Sequence, residues 1–116
     1  MQVPIDFISV PNAPKCDGAL YIRGDSMYPI LKAGDIACYK VIQDKNNVRF
    51  GEIYILDIDD GDDQYLTVKY IQKSDISDEY FKLVSQNISH NPKEEKRSNI
   101  RMMAIVKLWI RYNTIS

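Results

Sequence analysis

The sequence predicts an all-β domain. Short runs of β-branched and aromatic residues recur along the chain, Gly, Asp, Asn and Pro stand between them, and the apolar periodicity of an amphipathic helix is hard to find in any window. Residues 1–18 read as an extended N-terminal arm, because Pro4, Pro11 and Pro14 interrupt alternation and favour a stretched course across the domain surface. Residues 19–116 form the domain itself. Strands are expected at about Ala19 to Arg23, Ile36 to Ile42, Glu52 to Ile58, Tyr65 to Gln72, Tyr80 to Val84 and Arg101 to Tyr112, the last with room for a bend into two. One or two short helical turns complete the fold. Between the third and fourth strands, Asp57 to Asp63 has the carboxylate density of a calcium loop. The register is wrong for one, since a loop starting at Asp57 would need glycine at 62 and glutamate at 68, where the chain has Asp62 and Val68. Asp60-Gly61 is better read as a hairpin turn, both residues tolerating positive φ. Lys93 to Ser98 reads as a charged loop, and Trp109 as a core residue or an aromatic interface anchor.

Composition bounds the function. A chain of 116 residues and 13.4 kDa holds one domain with one sizeable core. Its 15 basic and 16 acidic side chains leave a net charge of −1, with no bulk footing for phosphate backbones. The tail from residue 93 onward is modestly basic and reads as a solvated surface. Two cysteines, Cys16 and Cys38, are too few for a disulfide scaffold and lack zinc-ligand spacing. A basic, then apolar leader is absent, and no apolar run reaches the roughly 18 residues of a membrane span. The expectation is a cytoplasmic protein without metal or cofactor. His90, the single histidine, lies in a polar Ser-His-Asn-Pro stretch and reads as an exposed loop residue.

The informative stretch is Ala19 to Asp35. A strand runs into Gly24-Asp25, and Ser26 stands at the corner that follows, before Pro29 and a second Gly-Asp. A serine there has two readings: an N-cap for a short helix, or a nucleophile beside unpaired backbone N–H groups able to hold an oxyanion. A nucleophile needs a base. With His90 in a loop, lysine remains, and Lys69 lies inside the strongest strand pattern, Tyr65 to Gln72. Period two puts Leu66, Val68 and Tyr70 on one face and Thr67, Lys69 and Ile71 on the other. Desolvation on so apolar a strand would lower the lysine pKa; the alternative is that Lys69 snorkels to solvent from an edge.

Taken together, Gly24-Asp25-Ser26-Met27-Tyr28-Pro29, Ala33-Gly34-Asp35, a strand led by Gly51-Glu52, Val68-Lys69-Tyr70-Ile71 and the closing Met103 to Ile110 run resemble the C-terminal domain of LexA-type and lambdoid phage repressors. The likeness spans about Ala19 to Arg111. It implies a compact, LexA-like (signal-peptidase-like) β domain in which a Ser–Lys dyad cuts an Ala-Gly or Cys-Gly bond upstream in the same polypeptide. It makes Ser26 the nucleophile, Lys69 the general base, and the backbone N–H groups of Asp25 and Ser26 the oxyanion hole. Gly34 and Asp35 match a structural turn. The implied partners are a second copy of the chain in a homodimer, a RecA filament as trigger, and operator DNA through an N-terminal helix-turn-helix domain that this sequence lacks, with no membrane. The 25 residues before Ser26 contain no Ala-Gly or Cys-Gly bond, so this chain is not expected to cleave itself. The leading expectation is the regulatory and dimerisation domain of a repressor with latent serine peptidase activity. A catalytically silent dimerisation domain is the main alternative, followed by a soluble UmuD-like or signal-peptidase-like protease.

Overall fold

The computed structural model describes residues 13–112. Seven strands, β1 (Gly18–Tyr21), β2 (Ile36–Ile42), β3 (Ile53–Asp59), β4 (Gln64–Lys73), β5 (Tyr80–Val84), β6 (Lys93–Lys96) and β7 (Ile100–Ile110), form one sheet in the order β1-β2-β7-β3-β4-β5-β6. Every pairing is antiparallel. The fold is therefore all-β, with short 3-10 turns at Lys45–Asn47 and Arg97–Asn99. Residues 1–12 of the expected arm lie outside the described residues.

β3 sits between β7 and β4 and is buried on both faces, which explains its nearly unbroken Ile-Tyr-Ile-Leu run. Alternation divides the core in two. Ile53 and Ile55 pack with Leu20, Ala37, Tyr39 and Ala104 on one face, where Met27 and Leu31 also insert. Tyr54, Leu56 and Ile58 pack with Ile71, Phe81, Leu83, Ile100 and Met103 on the other. β4 alternates as its sequence predicts: Val68 and Tyr70 meet the first cluster, Ile71 the second.

The β3–β4 hairpin closes where Asp60-Gly61 was expected to turn. Gly61 has φ 93°, and Asp60 Oδ1 accepts from the N–H groups of Asp62 and Asp63. The Asp60 carboxyl is held below its usual range mainly by those backbone hydrogen bonds. These carboxylates cap a turn, as Asx geometry explains.

Four expectations need correction. Lys93 to Ser98 is not simply a loop: Lys93–Lys96 is edge strand β6, and its Lys-Glu-Glu-Lys sequence gives no apolar alternation because charge is what protects an exposed edge from further pairing. Glu95 on that strand is buried, accepts from Asn99 Nδ2 at 2.9 Å, and has Lys93 Nζ 3.1 Å from its other oxygen as an ion-pair contact without hydrogen-bond geometry. The last run is one strand, bent by two irregularities where Arg101 and Lys107 find no partner in the register. Trp109 is 43% exposed, so it is not core; it pairs with Ala37 beyond the reach of β3, where the sheet has narrowed to β1, β2 and β7. Finally, the corner carrying Ser26 is a hydrogen-bonded turn with no helix.

Candidate active site

Ser26 stands in the turn between β1 and β2. Gly24, at φ 74°, reverses the chain in a conformation that side chains with a Cβ rarely adopt. Asp25 O accepts from Tyr28 N at 3.0 Å and Met27 O from Leu31 N at 2.9 Å, closing two successive turns. Met27 and Leu31, both essentially buried, anchor those turns in the first core cluster, at about 1.5–3 kcal/mol each. At the far end Asp35 is buried, accepts from Lys32 N at 2.8 Å, and receives Arg111 Nε and Nη2 at 2.9 and 2.7 Å. The Arg111 guanidinium holds the Asp35 carboxyl below the usual carboxylate range against the opposing effect of burial. The serine is thus carried on a turn fastened at both ends.

Ser26 itself is only partly buried, and its Oγ makes no hydrogen bond among the described residues. It caps nothing. The N–H groups of Asp25 and Ser26 likewise donate to no described group, which leaves two adjacent backbone donors open beside the hydroxyl.

Lys69 lies midway along β4, directly opposite Tyr54 of β3. β5 pairs only with Tyr70–Lys73, so the Gln64–Lys69 half of β4 is hydrogen-bonded to β3 alone and keeps one open edge. Lys69 sits at the inner end of that edge. It shares a cavity of about 270 Å³ with Tyr65, Thr67, Leu83, His90 and Lys93. Burial pushes the Lys69 amine below the usual lysine range, opposed by the negative charge of Asp25. Lys69 Nζ donates to Ser85 Oγ at 2.6 Å. No hydrogen bond joins it to Ser26 Oγ.

By alternation Lys69 belongs to the face of the second core cluster, whereas Met27 plants the serine turn on the first. The segment just after β5 links the two. Ser85 accepts from Lys69, Gln86 Oε1 accepts from Tyr70 Oη at 2.7 Å, and Asn87 N donates to Ser26 O at 2.9 Å. Asn87 Nδ2 reaches Asp25 O at 3.1 Å, and His90 Nε2 lies 2.8 Å from Asp25 Oδ1. Lys69 and the Asp25–Ser26 turn are therefore both tied to the segment after β5, while the cavity beside Lys69 is lined without Ser26. Sequence reasoning left Ser85 and Asn87 unremarked and read His90 as a loop residue; it is exposed, yet it is paired with Asp25. The polar Ser-Gln-Asn run immediately after an apolar strand sets the segment apart, but such a run reads the same whether it bonds solvent or protein.

A second cavity of about 260 Å³, between Lys45, Phe50, Tyr80 and Arg97, contains neither Ser26 nor Lys69. Among the described residues no cluster of potential ligands is placed to hold a metal ion, and no helix is long and apolar enough to cross a membrane. A protein-family model described as Peptidase S24-like matches residues 1–107. A search of curated proteins found no significant match.

Proposed function

From the premise that this chain belongs to the Peptidase S24-like family, which includes the C-terminal domains of LexA and phage repressors, we propose that it is the regulatory and dimerisation domain of a phage-type repressor carrying a Ser26–Lys69 peptidase dyad. The observation that carries the reading is the partly buried Lys69, its amine depressed by desolvation, held through the Ser85–Asn87 segment to the turn where Ser26 and two open N–H groups lie. In the proposed reaction the Lys69 amine takes the Ser26 hydroxyl proton as Oγ bonds to the scissile carbonyl carbon. The carbonyl oxygen, now an anion, turns to the N–H groups of Asp25 and Ser26. Collapse breaks the C–N bond, the Lys69 ammonium returns its proton to the leaving amine, and water then hydrolyses the acyl-enzyme.

In a repressor such cleavage separates the DNA-binding half from the half that pairs two chains, so affinity for a two-fold operator collapses. The resemblance supplies the remaining parts of the proposal: a homodimer, a RecA filament as trigger, operator DNA reached through a helix-turn-helix domain outside this sequence, and a cytoplasmic setting. A UmuD-like protease uses the same site. The silent-domain alternative draws on one observation, that Lys69 bonds Ser85 and not Ser26.

Incubation with a fluorophosphonate separates them. Ser26 Oγ would bond to phosphorus, fluoride would leave, and Lys69 would take the proton; peptide mass spectrometry would place the adduct on Ser26. Labelling is expected to accelerate as pH rises toward the lysine range and to vanish in Ser26→Ala, Lys69→Ala and Lys69→Arg, the last because a guanidinium stays protonated. Labelling that survives Lys69→Ala, or that falls on other serines alone, contradicts the dyad.

A further inference from the structure

We infer that Cys16 and Cys38 form a redox-reactive dithiol, the site at which a hydroperoxide converts this domain to a disulfide-closed form. The inference goes beyond the proposed function and does not depend on it. Both cysteines are free thiols, and the pairing of β1 with β2 brings them together. Gly18 stands opposite Tyr39 in the register, and Asp17 N also donates to Tyr39 O at 2.7 Å, so two residues of the incoming chain meet one of β2. That sets Cys16 diagonally across from Cys38, where the two thiols adjoin. Asp17 fixes the approach a second time, its carboxylate Oδ2 accepting from Val41 N at 2.7 Å. Directly opposite Cys38 is Ala19, whose methyl leaves room beside the thiol.

The two thiols differ in setting. Cys16 is exposed, in a stretch (13–16) that belongs to no strand, and its Sγ donates to Pro14 O at 3.6 Å. Cys38 is half-buried inside β2, between β1 and β7, and burial, with the Cys16 thiol beside it, pushes its thiol above the usual cysteine range. A hydroperoxide therefore meets Cys16 first. The Cys16 sulfur bonds to the terminal peroxide oxygen, the O–O bond breaks, and the departing oxygen takes the thiol proton; from hydrogen peroxide the products are a sulfenic acid and water. The Cys38 sulfur then bonds to the Cys16 sulfur, and the sulfenic hydroxyl leaves with the Cys38 proton as a second water. The two sulfurs have given up two electrons and the peroxide has taken them. Because Cys16 lies outside the ladder, closing to bonding distance moves the arm and not the sheet.

The bond closes the chain on itself from residue 16 to residue 38. Inside that loop lie β1, an edge strand paired to β2 alone, and the whole turn that carries Ser26. Closure constrains the unfolded chain and holds down a strand at the edge of the sheet, where local opening begins.

The test treats the reduced 116-residue chain with a small excess of hydrogen peroxide at fixed pH, quenches with N-ethylmaleimide, and reads intact mass, linked peptides and thermal unfolding. The expected product is a single chain that has lost two hydrogens, takes up no maleimide, yields a linked Cys16–Cys38 peptide and melts roughly 10 °C above the reduced form. Dithiothreitol reverses each change. Cys16→Ser and Cys38→Ser both abolish the melting shift. In Cys38→Ser, Cys16 is expected to stop at a sulfenic acid that dimedone captures, whereas in Cys16→Ser the half-buried Cys38 reacts at least about tenfold more slowly. A chain that keeps both thiols open to maleimide under peroxide sufficient to oxidise free cysteine overturns the inference. So do disulfides that join only separate chains, or two cysteines oxidised separately to sulfinic acids.

Discussion

At the scale of single residues, the site depends on side chains that do unequal work. Asn87 spends its backbone N–H on Ser26 O and its side-chain amide on Asp25 O, so it clasps the carbonyls on either side of Ser26, next to the N–H groups the proposed oxyanion would use. Asn87→Ala keeps the first bond and loses the second. Fluorophosphonate labelling of Ser26 is expected to drop about tenfold to a hundredfold, with urea unfolding showing a loss of only about 0.5–1.5 kcal/mol; a variant that labels at the wild-type rate contradicts the clasp. Ser26 and Lys69 stand out in the sequence because a serine at a Gly-Asp corner and a lysine inside an apolar strand are each out of place, and the proposal builds on them. Ser85 and Asn87 were not legible. Polar residues after a strand look alike whether they bond solvent or an active-site loop, and only the partner, distant in sequence, distinguishes them.

Elements give the site its rigidity. β2 and β5 fall at the residues their patterns predict, and the β3–β4 hairpin closes at the expected Asp60-Gly61 because apolar runs bounded by turn residues leave little choice of register. β6 escaped that logic, since a charged edge strand is held by its neighbour's backbone and carries no period of its own. The Asp35–Arg111 pair fastens the end of the serine turn to the residue just beyond β7. Asp35→Asn is expected to cost about 1–3 kcal/mol near pH 7 by urea unfolding, toward the lower end because Arg111 is half-exposed and screened. The Asp35 pKa is lowered in the folded state, so the contribution is present above the ordinary carboxylate value of about 3.9 and is lost as pH falls through the folded value. The gap between wild type and Asp35→Asn should therefore close in acid. A gap independent of pH would assign the cost to packing instead.

On the scale of the whole molecule, a net charge of −1 gives the seven-stranded sheet no bulk electrostatic footing for a phosphate backbone. Trp109 leaves aromatic surface where the sheet narrows to three strands. Sedimentation equilibrium is expected to show a concentration-dependent dimer that weakens in Trp109→Ser; a monomer at high micromolar concentration would contradict that role. Family and fold class were both readable from the chain, because Ser26, Lys69 and their flanking turns keep an order that few other arrangements share. The unexpected feature is the segment after β5, which bonds Lys69 through Ser85 and the serine turn through Asn87. The central claim is that Lys69 serves Ser26 as a base. It is tested most directly by measuring, on one sample, the Lys69 ¹³Cε titration and the pH dependence of Ser26 labelling. The account predicts that both give the same pKa, below the ordinary lysine value of about 10.4. A Lys69 that titrates at or above that value, or a labelling profile that does not follow its titration, would contradict it.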